Sequence, residues 1–215
     1  MIETDRIPLF PLGIVVLPGM AAPLHIFEER YKQMIARCRK NEEDFGVIYY
    51  DGSNMAAAGC TVRITKIAKE YGDGRLDIIT LGQRRFEVEK LHDQKAYFEA
   101  TITYFDDEFE ADNERIAELA QELKTLLKKL FKMHSQNPDF RRIELLDARS
   151  LSFLTAFHDA FSPQEKQRFL ETRYLGERLE KGVRVIQKII ERVKINKDIN
   201  KIIHNNGYMP NAFPK

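Results

Sequence analysis

FPLGIVVLPGMAAPLHIFEERY, residues 10–31, sets Pro11, Pro18 and Pro23 around an apolar run and then opens a charged segment. Proline fixes φ near about −65° and donates no backbone N–H, so the run reads as extended chain leading to a turn at Pro18–Gly19. After Pro23, the residues Phe27, Tyr31, Met34, Ile35 and Cys38 recur at helical spacing, with Glu28, Glu29, Lys32, Arg37 and Arg39 on the other faces. The stretch predicts extended chain, a turn, and one helix laid over a sheet or barrel.

Working outward, eight of the 11 glycines fall before residue 83, which favours short strands and tight turns in the first half. Val62 and Ile64 alternate with Arg63 and Thr65, and Phe86 and Val88 with Arg85 and Glu87, the period of strands with one buried face. Between these runs YGDGR predicts a hairpin turning at Asp73–Gly74. The alternation slips at Lys66 and Ile67, and Gly82 interrupts the next run, so bulges are expected there. AYFEATITYF, with Phe98, Ala100, Ile102 and Tyr104 on one face, is the last strand.

FDDEFEADNE, residues 105–114, has six acids in ten residues and reads as a linker into a helix. Beyond it Ile116, Leu119, Ala120, Leu123, Leu126, Leu127 and Leu130 form an apolar stripe on a helix of ~30 Å. NPDFRRIE is expected to be a loop, followed by a helix carrying Leu151, Leu154, Phe157 and Phe161. SPQEKQRFLE has Ser162, Pro163 and Glu165 in the order of a capping box. A last helix spans Leu175 to Ile203, with Gly176 and Gly182 as possible kinks.

Lys and Arg total 34 against 33 for Asp and Glu, which argues against a general pull on phosphate backbones. No stretch reaches the ~18 apolar residues of a membrane span, and MIETDRIPLF does not suit a signal peptide, so a cytoplasmic protein is expected. Cys38 and Cys60 read as reduced packing residues.

Together IPLFPLGIVVLPGMAAPLHIFEERYKQMI, FGVIYY, GCTVRITKI, DGRLDIITLGQRRFEVEKL and SPQEKQRFLETRYLGERLEKG resemble, in order and spacing, the N-terminal substrate-binding domain of the ATP-dependent protease Lon and its standalone bacterial relatives. The residues carrying the resemblance are Pro11, Pro18, Gly19, Pro23, Leu24, Phe27, Tyr31, Gly46, Gly59, Gly74, Gly82, Arg85 and Phe86. It implies an α+β fold: a PUA-like small β-barrel with one inserted helix over residues 1–108, then a helical bundle over 109–204. A flexible tail is expected over 205–215, with Tyr208, Met209 and Phe213 as anchors. In such a fold LFPL is an edge or entering strand and GIVVLPGM continues it.

Catalysis is not expected. The chain has no Gly-rich phosphate loop ending in Gly-Lys-Ser/Thr, and its five serines include none in a recognisable nucleophile segment; Ser150 and Ser152 read as helix surface or cap. His25, His92, His134, His158 and His204 lack metal-ligand spacing, so neither metal nor cofactor is expected. Glu28 and Glu29 beside His25 read as first-turn acids. What remains is a surface for unfolded or exposed polypeptide, assigned to Met20, Ala21 and Ala22 and to the loop Met55, Ala56 and Ala57, with a protease or ATPase as a further partner. An RNA-binding alternative rests on Arg84, Arg85, Lys188, Arg192, Lys194 and Lys197, with Glu87 and Glu89 placed to neutralise the arginine pair.

Overall fold

A computed structural model of the chain describes residues 4–133, 140–158 and 160–206, with the backbone alone at 197, 198 and 200–206. His134, Tyr208, Met209, Phe213 and the side chains of Lys197 and His204 lie outside the described residues. The elements are β1 (Thr4–Leu12), β2 (Ala21–Ile26), α1 (Glu29–Asn41), β3 (Phe45–Tyr50), β4 (Met55–Glu70), β5 (Leu76–His92), β6 (Phe98–Tyr104), α2 (Asn113–Met133), α3 (Phe140–Leu145), α4 (Ala148–Thr155), α5 (Pro163–Glu171) and α6 (Leu175–Asn206).

Six strands form one mixed sheet in the order β2-β5-β4-β3-β1-β6, and β5 also pairs with β6. Five strands are therefore joined in a cycle of pairings, with β2 outside it on the first half of β5. Since β1 lies between β3 and β6, it is an interior strand, which excludes the edge of the two expected alternatives, edge or entering strand. It stops at Leu12; the next residues bury Val15, Val16 and Leu17 as irregular chain up to the turn at Pro18–Gly19. β2 was not expected. Its residues alternate outward and inward, with Ala22, Leu24 and Ile26 buried.

The β4–β5 hairpin turns where YGDGR stands, and Gly74 there has φ of 81°, a left-handed conformation that costs glycine little. Register shifts between Ile64 and Lys66 and between Ile67 and Lys69 coincide with the slip in alternation. At Gly82 the strand continues through a further register shift, between Cys60 and Val62 of β4, as the interruption of the run predicts, and glycine also permits a close approach: a Cβ there would stand 2.1 Å from the Leu17 carbonyl oxygen. That contact presses the loop before β2 onto β5. Phe86 is fully buried between Gly46 and Gly59, in a core with Ile7, Leu9, Ile48, Ala100 and Ile102.

In the helical half, Leu119, Leu123, Leu127 and Leu130 of α2 pack with Leu179, Val183, Ile186 and Ile190 of α6. The stretch expected as a loop contains α3, while Phe157 and Phe161 lie beyond the end of α4. At α5 the capping box forms: the Ser162 hydroxyl accepts from the Glu165 N–H, and the Glu165 carboxylate accepts from the Ser162 N–H. α6 runs unbroken through Gly176 and Gly182. Helical and sheet residues share a core, in which Phe153, Ala156, Phe161, Phe169 and Leu170 pack with Phe10, Val15, Met34, Ile35 and Phe45.

Arginines reinforce this joint. The Arg178 guanidinium donates to both Asp107 oxygens at 2.7 Å and to the Thr172 carbonyl at 2.8 Å. Arg85 donates to Asp107 at 2.5 Å and to the Leu170 and Thr172 carbonyls at 3.0 and 2.8 Å. Asp107, read as part of a solvated linker, is thus a clasp between β5 and α6. Ser152, read as helix surface or cap, is buried, and its oxygen accepts from Arg178 Nε at 3.1 Å.

Candidate functional site

Phe27 gives the first clue to the site. It precedes Glu28, the N-cap of α1, and is 59% exposed, because the outward and inward alternation of β2 carries on to it. The expected place on the buried helix stripe is therefore corrected. Tyr31, Met34, Ile35 and Cys38 do form that stripe, with the Tyr31 ring 4.0 Å from that of Phe10.

Beside Phe27 lies a groove of about 470 Å³. Pro11 and Leu12 come from the end of β1, Tyr50 and Met55 from the two sides of the β3–β4 turn, and Phe98 from the start of β6. Tyr50 is 39% exposed, and its hydroxyl donates to the Gly52 carbonyl at 2.7 Å, which fixes the ring at the rim. Phe27 is backed by the His25 ring at 5.8 Å, and His25 is in turn held by Asp77 at 2.5 Å. The groove's charged members Glu28 and Arg30 satisfy each other at 2.8 Å. The result is an apolar trough with two fixed aromatic edges and paired charges, suited to aliphatic and aromatic side chains and lacking an evident nucleophile–base arrangement.

Of the residues assigned to polypeptide contact, only Met55 lines this groove. Ala56 is half-buried beside it and Ala57 is exposed, both on β4 rather than in a loop. Met20 packs partly on the main core and Ala21 is exposed at the start of β2, whereas Ala22 is 2% exposed because its side chain points inward in the alternation. The two groups are not brought together in one pocket. Tyr50, His25 and Phe27, which also line the groove, were not singled out from the sequence as surface for a partner. For Phe27 the signal was present: Ala22, Leu24 and Ile26 repeat with period two, which turns residue 27 outward.

The arginine pair separates. Arg85 is 1% exposed and its charge is met by Asp107 rather than by Glu87 or Glu89, while Arg84 lies over the Tyr104 ring at 3.9 Å. Arg85 therefore offers no surface to a phosphate backbone. Cys38 and Cys60 are free buried thiols, each pushed up to about 12 chiefly by burial. Among the described residues no helix is long and apolar enough to cross a membrane.

The model of the ATP-dependent protease La (LON) substrate-binding domain matches residues 6–200. The Lon protease of Cytophaga hutchinsonii is 22% identical over 211 residues, covering 92% of this chain and 26% of that protein. That of Desulforamulus reducens is 25% identical over 214 residues with the same two shares, 92% and 26%. The chain thus spans about a quarter of the length of the curated Lon proteases it matches. Among solved structures, the N-terminal domain of Mycobacterium avium complex Lon protease has a TM-score of 0.71 at 19% identity, over 85% of this chain and 98% of that one. The Lon N-terminal domain protein from Xanthomonas campestris has a TM-score of 0.61 at 26% identity, over 82% and 96%. Sequence match and fold agree, and the chain belongs to the Lon substrate-binding domain family.

Proposed function

We propose that this chain is a non-catalytic, cytoplasmic polypeptide-recognition module that holds exposed apolar segments of unfolded or tagged proteins in the Phe27–Tyr50 groove and acts as an adaptor to a protease or ATPase partner. The observation that carries the reading is the pair of fixed, exposed aromatic rings bordering an apolar groove, in a family named for substrate binding. Met55 supplies an adaptable apolar contact beside them. The cycle of strand pairings supports a small PUA-like barrel over residues 1–108, and the core shared with Phe153, Phe161 and Phe169 supports a helical unit over 109–204 packed on it.

Fluorescence anisotropy with a labelled, permanently unfolded polypeptide tests the proposal. Affinity on the order of micromolar, tolerant of moderate salt, is expected. Phe27→Asp and Met55→Asp should weaken binding at least tenfold with the melting temperature kept, and Met20→Asp, outside the groove, should leave it unchanged. Equal affinity of Phe27→Asp and the parent would remove the groove. Binding of a labelled RNA alone, lost as salt rises, would replace the proposal with the nucleic-acid alternative.

A further inference from the structure

β2 stands outside the cycle of strand pairings, and among the described residues it pairs with β5 alone, which leaves its other edge without a ladder. Two contacts fix the direction of its main-chain groups. The Met20 carbonyl accepts from the Gly82 N–H at 2.9 Å, and the Ala22 carbonyl accepts from the Thr80 hydroxyl at 2.9 Å, so both carbonyls face β5. Main-chain groups of an antiparallel ladder alternate in direction along the strand, and the register from Ala21 to Ile26 runs without a shift. Leu24 and Ile26 therefore also face β5, while the main-chain groups of Ala21, Pro23 and His25 face the open edge. Pro23 stands on that outward side, where its missing N–H costs the ladder nothing.

The open edge borders the groove. His25 of β2 and the following Phe27 line it and no residue of β5 does, so the groove opens on the unpaired side of β2. Ala21, Pro23 and His25 also turn their side chains outward, and the alternation carries on to Phe27. A chain laid along this edge would set every second side chain on the same outward face, against His25 and Phe27. Glu28 and Arg30 in the lining neutralise each other, which suits an uncharged segment. Pro23 interrupts the edge between Ala21 and His25, which confines pairing to a short segment and disfavours edge-to-edge association of two copies.

We propose that β2 takes a client polypeptide as an added strand, with the client's main chain paired to the open edge at His25 and its alternate side chains filling the groove beside Phe27. This rests on the polypeptide-binding reading of the groove and narrows the client to extended, uncharged chain with apolar residues at every second position, as against an amphipathic helix.

Competition against the labelled unfolded polypeptide on the full chain tests it, using two capped octapeptides of one composition, VSVSVSVS and VSSVVSSV, the second with valine at helical spacing. The alternating peptide should displace the label at a concentration at least tenfold lower. Two N-methylated forms of it, one methylated at every valine and the other at every serine, should differ at least tenfold, since only one set of N–H groups faces β2. His25→Pro should weaken the alternating peptide at least fivefold more than His25→Ala, because both lose the imidazole and only proline loses the outward N–H. The methylated peptides leave the protein unaltered and decide the matter even where His25→Pro unsettles the fold. Strand addition is overturned if the two octapeptides compete alike, if the two methylated forms do, or if the alternating peptide fails to displace a label that binds; in each case the groove keeps its polypeptide reading. A dimer in sedimentation velocity that the alternating peptide does not dissociate would assign the edge to a second copy instead. If the labelled polypeptide itself does not bind, the groove reading falls and strand addition falls with it.

Discussion

Glu99 and Asp107 are both poorly exposed carboxylates that gather several cations, and they differ in what they join. Glu99, on β6, accepts from Arg6 at 2.9 Å, from Lys95 at 2.9 Å and from Arg37 of α1, all inside the sheet half. Those cations reach water, with side chains 50%, 44% and 27% exposed. Asp107 instead takes Arg85 and Arg178, both 0% exposed, one from β5 and one from α6. Losing Glu99 leaves cations that water can solvate, whereas losing Asp107 strands two guanidinium groups with no such recourse. The same chemistry is therefore a local brace in one place and a condition for docking the two halves in the other.

The sharpest way to break the comparison is Asp107→Asn, which keeps the shape and removes the charge. Leaving a buried arginine pair uncompensated is expected to cost about 3–5 kcal/mol, read as a fall in the urea midpoint. A cost under about 1 kcal/mol would mean the clasp is better solvated than its burial indicates. Replacing Arg85, Asp107 and Arg178 together by Met, Leu and Met should cost less than the single change, since apolar groups of similar volume need no counter-charge. Arg85 already shows the strain of the arrangement: burial pulls its guanidinium down to about 10, and Asp107 pulls the other way.

Acid should act on both carboxylates. Burial alone would raise Glu99, but hydrogen bonds from Lys95, Arg37 and Arg6 bring it down to about 2. Burial likewise opposes ionisation of Asp107, and the Arg178 hydrogen bond with the charges of Arg178, Arg85 and Arg149 holds it below the usual range. Because each folded-state value lies below the unfolded one, the stability each adds is full above about pH 4–5 and is lost as pH falls through the folded-state value. Glu99→Gln should cost about 1–3 kcal/mol at pH 7 and flatten the loss of stability between about pH 4.5 and about 2. An unchanged acid slope would show that Glu99 is not the group titrating there.

What could be read from the sequence follows the same division between local and distant. The capping box at Ser162–Glu165, the Asp73–Gly74 hairpin and the slip at Lys66–Ile67 were legible because each is decided within a few residues. Asp107 was not, since nothing nearby distinguishes it from Asp106 or Glu108; its partners stand 22 and 71 positions away. β2 was obscured by Pro23, which suggested a break although it occupies the strand opposite Ile79. Misreading β2 also misplaced Phe27, so the groove was lost while Met55, one of its walls, was kept. The resemblance supplied the family but could not locate a surface that depends on which way one side chain turns.

The smallest expected effect sharpens the contrast from the exposed side. Arg6→Ala removes one of three cations from Glu99, leaving Arg37 and Lys95 in place. A half-exposed ion pair of this kind contributes about 0.2–1 kcal/mol, and screening should shrink it further in high salt. Thermal melts of the parent and Arg6→Ala in low and high salt should therefore converge, while the gap between the parent and Asp107→Asn should persist because ions do not reach the buried arginines. Were both gaps to close with salt, burial would not be what separates the two clusters, and the clasp would have to be counted as another surface pair.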